Sequence, residues 1–348
     1  MEDENRPEEE EREEEISLGR RFFDYRTLIS FVVAFGLLFL VFERLDVDFY
    51  QTWALITGCN PLFYALAFVS YYLTFPLRAW RWRLLLESAG FRRDNGVALP
   101  STWGLTQIMV INWFANSILY ARLGDAYRAY LLRESAGVTF SKTIGTVLSE
   151  RVLDIIVIFI MAIAAVIWLL VAGSPGMKVA GTVLIVGICL LLLIAILIGG
   201  MGRFGRRLER RLPKRVKSVY ALFEEGALGS FGHLPALSAL SVGIWLLEAG
   251  RLLLVTQALG FNIGDIGVPL LLFAALAAAL LTAIPLTPGG LGLVESGVAG
   301  LLMVALPRAS AWSIALLDRT ISFLSVIVIG LICFAFWHLA QARRARAR

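Results

Sequence analysis

Apolar runs of membrane-crossing length recur along nearly the whole chain, from residue 27 to residue 339, with no polar stretch between them long enough to fold by itself. A helix needs about 20 mostly apolar residues to cross the hydrocarbon core. Six runs qualify, at roughly 27–43, 60–77, 152–172, 178–200, 234–259 and 314–338. Two further stretches, roughly 98–119 and 267–305, are apolar but interrupted by polar, Gly and Pro residues. Composition agrees: 58% of residues are hydrophobic and 17% charged, whereas soluble domains carry roughly half and a quarter. The fold class that follows is an all-α polytopic membrane protein, with no room in these residues for a soluble catalytic domain.

Topology is read from arginine and lysine, which concentrate in short cytoplasmic flanks. Residues 1–15 hold ten acids and two arginines, which makes residues 1–26 an acidic disordered tail with a juxtamembrane segment. With −8 in that tail and a formal net charge of +5, the remaining 333 residues carry +13. Arg20, Arg21 and Arg26 place the first run's start inside, and Arg78, Arg81, Arg83, Arg92 and Arg93 bring the chain back inside after the second. The block Arg203, Arg206, Arg207, Arg210, Arg211, Lys214, Arg215 and Lys217 places the end of the 178–200 run inside, as Arg343, Arg344, Arg346 and Arg348 do for the basic tail 340–348. Both termini are expected in the cytoplasm of a multi-pass protein of the plasma (inner cell) membrane.

The chain is then inside at Arg93 and again at Arg122, so 98–119 enters and returns rather than crossing once. By the same parity 267–305 enters and returns from outside, or else crosses twice. About six full transmembrane helices and two broken or re-entrant hairpins result. The domain 27–339 divides into two repeats, about 27–172 and about 178–339, the second inverted. Asp125 followed by Leu131 and Leu132 recurs 170 positions on as Glu295 followed by Leu301 and Leu302. An acid beside an arginine follows each hairpin, Glu150 with Arg151 and Asp318 with Arg319. Inverted repeats with broken helices place substrate between the halves near the midplane.

In the first hairpin Asp125 has Arg122 three residues before it and Arg128 three after, beside Asn112, Asn116 and Ser117. On a helix the three charges share a face and either grip an anionic head group or meet lipid head groups at the interface. In the second, Pro285, Pro288, Gly289, Gly290 and Gly292 preclude regular helix. Irregular backbone at membrane depth is buried in protein or lines a wet cavity. A helix restarting near Gly292 would aim its amides at that cavity as an anion site, with Glu295 in its first turn; a kinked packing helix is the other reading. Glu248 and Arg251 stand inside an apolar run, where an isolated charge costs about 2.5–3.5 kcal/mol, and their spacing lets them pair. Arg78, Trp80, Arg81, Trp82 and Arg83 read first as an interfacial anchor, with a role in holding substrate as the other reading. His233 and His338 are isolated, and Cys59, Cys189 and Cys333 are far apart. No catalytic set, metal site or cofactor is indicated.

Five places taken together resemble the lysylphosphatidylglycerol synthase transmembrane region, a flippase-like membrane family. They are Arg78 to Leu85 with Arg81 and Trp82; Arg122, Gly124, Asp125, Arg128, Leu131 and Leu132; Glu150, Arg151 and Asp154; Pro285, Thr287, Pro288, Gly289, Gly290, Gly292 and Glu295; and Arg319. The resemblance implies translocation of an aminoacylated or otherwise modified phospholipid, or of a polyprenyl-linked or glycosylated lipid, from inner to outer leaflet. The chain stops ten residues after His338, without the cytoplasmic aminoacyl transferase domain of bifunctional members, so it is not expected to synthesise the lipid.

The expected function is a lipid flippase or facilitator. Arg122, Arg128 and the amides near Gly290 and Gly292 hold a phosphate, while Asp125 and Glu295 orient the cations or recognise a cationic substituent. Glu150, Arg151, Glu248, Arg251, Pro288, Gly289 and Arg319 complete the candidate site. No nucleotide-binding Gly-rich loop is present, so movement is downhill, ion-coupled or driven by a partner. One charge crossing 100 mV is worth about 2.3 kcal/mol. Expected partners are membrane lipids with anionic head groups, a separate lipid synthase or glycosyltransferase, and a homo-oligomer, but no nucleic acid. The rivals are a membrane transferase using Asp125 or Glu295 as general base, and a non-transporting subunit that recruits a lipid-modifying enzyme.

Overall fold

Asn60 accepts the amide of Leu62 at 2.9 Å and Pro61 supplies a preset first turn, and from this cap a helix runs unbroken to Ser88. The computed structural model describes residue 36 and residues 48–119, 122–171, 214–284 and 287–346; most of these are helical, joined by short loops, with no strand among the described residues. The apolar runs at 27–43 and 178–200, the acidic tail, the block from Arg203 to Arg211, and Pro285 lie outside the described residues, Gly36 apart.

The helices are α1 (Phe49–Thr57), α2 (Pro61–Ser88), α3 (Thr102–Ile118), α4 (Leu123–Ala136), α5 (Phe140–Val171), α6 (Lys214–Gly229), α7 (Leu234–Ala258), α8 (Ile263–Ile266), α9 (Val268–Ala283), α10 (Leu293–Leu302), α11 (Arg308–Arg319) and α12 (Val326–Arg346). A single-turn 3-10 segment, Pro288–Gly290, precedes α10, and a π-helical turn, Thr320–Ser325, joins α11 to α12. Among the described residues, four helices are long and apolar enough to cross a membrane: Pro61–Ser88, Phe140–Leu169, Leu234–Ala258 and Arg308–Gln341.

Length separates the two broken stretches from these four. At a rise of about 1.5 Å per residue, the 17 residues of α3 and 16 of α9 extend about 24–26 Å, and the 14 of α4 and 10 of α10 about 15–21 Å. None matches a hydrocarbon core of about 30 Å, and each pair packs on itself as a hairpin. Gly124 closes the first: a Cβ there would run into the Asn112 carbonyl and the Asn116 side chain.

α2 and α7 form the central pair, their interface extending along both helices. Around them three helix–helix contacts of one half have counterparts in the other. α3 packs on α12 and α9 on α5; α4 packs on α5 and α10 on α11; α6 packs on α5 and α1 on α11. Outward faces carry exposed apolar side chains such as Leu66, Trp80, Ile160, Leu246 and Val328, the pattern of a body solvated by lipid.

One expectation is corrected. The segment after residue 77 is not an interfacial anchor: α2 continues through it, burying Arg78, Arg81 and Trp82 at 2%, 0% and 0% exposure, with only Trp80 turned outward. Their charges find partners inside the protein, so the helix need not stop where hydropathy falls.

Candidate functional site

The buried arginines and acids of α2, α4, α5, α7, α10 and α11 form linked ion pairs. Arg81 sits at one centre, donating to Glu150 at 2.8 Å, to Asp154 at 2.6 and 3.0 Å and to the Ser241 hydroxyl at 2.7 Å. Glu150 also faces Arg128 at 2.7 Å. Arg251 sits at the other, pairing with Glu248 at 3.1 Å and Asp318 at 2.5 Å, its guanidinium 5.2 Å from the ring centre of Tyr71. Arg78 joins α2 to α7 through Glu248 at 3.0 Å, between the rings of Trp113 and Trp245 at 4.9 and 5.2 Å. The Glu248–Arg251 pair expected from spacing is therefore one link of a longer chain.

The two hairpins use one device. Asp125 accepts Arg151 through both oxygens, at 2.8 and 3.1 Å, and Glu295 accepts Arg319 at 2.6 Å. Arg319 also donates to the Gly289 carbonyl at 2.8 Å, tying the glycine turn to α11. Arg122, the residue before α4, has φ 55°, the only positive φ on a non-glycine among the described residues; Gly292, before α10, has φ 83°. A left-handed arginine is strained. It is held where its guanidinium donates to the Thr282 carbonyl of the other hairpin at 2.9 Å.

Two local expectations change. Asp125 does not rest on Arg128, which is taken by Glu150, by the Met109 sulfur at 3.0 Å and by the face of Trp82 at 4.5 Å. Arg122 stands 3.6 Å from Asp125, further than Arg151. Nor do Gly290 and Gly292 offer open amides: Gly290 donates to Thr287 and Gly292 to the Glu295 carboxylate at 2.6 Å. Glu295 is thus the anion at its own helix N-terminus.

Between the hairpins lies a cavity of about 110 Å³, lined by residues of α2, α3, α5, α7, α9 and α11. A single water needs roughly 10–15 Å³, so the space is large enough for a small polar group. Its charged lining is Arg78, Arg122, Arg151, Arg251 and Arg319 against Asp154, Glu248 and Asp318, a net of +2. Positive walls of low dielectric focus potential on an anion inside. Of the sequence candidates, Arg122, Arg151, Glu248, Arg251, Gly289 and Arg319 line it. Asp125, Arg128, Glu150, Pro288, Gly290, Gly292 and Glu295 stand behind, holding the others. Asn116 lines it while donating to Asp125 at 3.1 Å, and Ser117 lies against Gly289.

Sequence reasoning missed the central part of Arg78 and Arg81, the carboxylates Asp154 and Asp318 as their counter-charges, and Trp113 and Trp245. A usable signal existed: Arg78 and Arg81 lie 170 positions before Glu248 and Arg251, the register already seen for Asp125 and Glu295. No cluster of three or more metal-ligating side chains is found among the described residues.

Comparison with known proteins places these features. The profile of the lysylphosphatidylglycerol synthase TM region matches residues 27–330. A UPF0104 membrane protein of Methanocaldococcus jannaschii is 32% identical over 64% of this chain and 93% of its own length. A UPF0104 membrane protein of Methanothermobacter thermautotrophicus is 26% identical over 90% of this chain and 96% of its own. The glycosyltransferase AglD of Haloferax volcanii is 25% identical over 84% of this chain but only 51% of its own length.

Proposed function

The chain belongs to the lysylphosphatidylglycerol synthase transmembrane-region family, and from that premise we propose that it moves, or facilitates the movement of, a lipid with an anionic head group between the leaflets of the cell membrane. The observation that carries the proposal is the cavity of net charge +2 enclosed between two hairpins within an apolar body. A head-group phosphate enters it, drawn by the arginines of the lining, while the acyl or prenyl tails stay in lipid. Arg122 makes the first contact, because its nearest carboxylate is already engaged by Arg151.

The same proposal makes the two hairpins re-entrant and the halves an inverted repeat of about six full spans, with both termini cytoplasmic. Its support is the paired contact pattern and the recurrence, at a spacing of 170, of Arg81 as Arg251, Asp125 as Glu295 and the left-handed Arg122 as Gly292. The chain is not itself an enzyme in this reading. A second reading has a named relative behind it: since AglD is matched over half its length, this fold is also compatible with a subunit serving a separate lipid-linked glycosyltransferase or synthase.

Reconstitution into liposomes separates the readings. Exchange of a labelled phosphatidylglycerol between leaflets, lost in Arg122→Gln, is the expected result. Conversion of the lipid without exchange would establish a transferase, and inactivity in both assays the recruiting subunit.

A further inference from the structure

We propose a second anion site, separate from the central cavity, in the cleft where the arginine-rich end of α2 meets the start of α7. The cleft has a volume of about 380 Å³ and is lined by Arg83, Glu87, Phe91, Arg92, Arg93, Val97, Leu99 and His233. That volume lies within the range of small-molecule sites, about 300–1,000 Å³. Three arginines face one acid, so the lining is positive before His233 contributes.

The cleft is built in advance. Arg83 is pinned by donating to the Pro100 carbonyl, and its Nε is buried with no hydrogen-bond partner. The Arg92 side chain donates from Nε to the Glu87 carbonyl at 2.7 Å, and Asn95 donates to the Gly90 carbonyl at 2.7 Å, so the loop after α2 is fastened to its own helix end. Ser88, the last residue of α2, meets Nδ1 of His233 at 3.2 Å, which joins the end of α2 to the start of α7 and leaves Nε2 as the ring nitrogen available to a ligand. Arg93 is exposed at the rim. Planar guanidinium forks beside an imidazole suit the tetrahedral oxygens of a phosphate group. The ligand class is therefore a phosphate, either free or carried on a lipid head group. The arginine pattern places this end of α2 in the cytoplasm, where such a lipid would be received before it reaches Arg78, less than two helical turns back along α2 from Arg83.

The two histidines of the chain, His233 and His338, make the test local. His338 is not among the residues that line the cleft; it meets Tyr127 on α4 at 3.0 Å. The full chain, labelled on histidine and held in detergent at fixed pH, is titrated with inorganic phosphate and separately with dihexanoyl phosphatidic acid, with chloride at matched ionic strength as control. A saturable shift of the His233 resonance with His338 unmoved is expected, weakened at least tenfold in Arg83→Gln. Because Arg83 also anchors the loop, Arg93→Gln, at the exposed rim, is the companion variant expected to weaken binding without unfolding. A response to inorganic phosphate supports the site with phosphate alone sufficient; a response only to the lipid supports it with the head group required. No saturable shift, an equal shift with chloride, or an unchanged affinity in both variants overturns it. Leaflet exchange is not read, so failure here leaves the function of the central cavity standing.

Discussion

Arg78 and Glu248 meet at 3.0 Å across the interface of α2 and α7, side chain to side chain, with 2% and 10% of their surfaces accessible. Breaking a buried pair from one side strands the other charge, at a cost of about 3–5 kcal/mol, whereas replacing both with apolar groups is often neutral. Glu248→Gln is therefore expected to lower the Tm of the detergent-solubilised protein sharply, and Arg78→Met with Glu248→Met to recover most of the loss. A double-mutant cycle on thermal unfolding measures the coupling; strict additivity of the two single changes would mean that the pair is not formed.

The two hairpin carboxylates differ in depth, and their variants should differ accordingly. Glu295 is 1% exposed, accepts Arg319 and caps α10 through Gly292, so Glu295→Gln weakens an ion pair and a helix start together. The Asp125 side chain is 18% exposed beside an Arg151 that is 25% exposed, and water screens part of that attraction. Asp125→Asn is expected to cost about 1–2 kcal/mol and Glu295→Gln about 3 kcal/mol or more. Chemical unfolding of the two variants in one detergent checks the order.

How far these features were legible beforehand follows from the range of the forces that set them. Hydropathy is summed along the chain, so the 234–259 run emerges as α7 almost to the residue. It failed at Arg78, where the helix continues because Glu248, 170 positions away, neutralises a charge that hydropathy counts as an ending. The local rule of three-residue spacing offered Asp125 both Arg122 and Arg128, but it could not see Arg151, a residue of the next helix with better geometry, or Glu150, which draws Arg128 away. The glycine turn was legible as irregular backbone; that Glu295 would fill its amides required knowing where the side chain folds back.

Arg122 combines a strained backbone with the cavity's least satisfied cation, and the two can be separated. Arg122→Gly removes the strain, worth about 1–2 kcal/mol, while removing one of the two net positive charges facing the cavity. Arg122→Lys retains the charge without the fork. Exchange of an anionic lipid in liposomes should fall about 10- to 100-fold in Arg122→Gly, the loss of one charged hydrogen bond of about 1.5–3 kcal/mol, and less in Arg122→Lys. Thermal stability of Arg122→Gly should hold within about 1 kcal/mol as the lost Thr282 contact offsets the relieved strain. Retained exchange in Arg122→Gly would remove Arg122 from the lipid path.

The re-entrant reading of the first hairpin makes a claim about sides that labelling decides. Gly96 precedes α3 and Gly137 follows α4; both have positive φ and neither has a neighbour that a Cβ would meet. Cysteines at these positions are tolerated sterically, at the cost of backbone strain in an exposed turn. Neither α3 nor α4 is as long as the hydrocarbon core is thick, and the two pack on each other, the geometry that a hairpin entering and leaving from one side requires. Gly96→Cys and Gly137→Cys, each made in a chain with Cys59, Cys189 and Cys333 replaced by serine, should both react with an impermeant maleimide from the cytoplasmic face and not from the outer face. Labelling of the two from opposite faces would turn the hairpin into a single crossing, invert every helix after it, and place the arginines of residues 203–217 outside the cell, against the positive-inside rule.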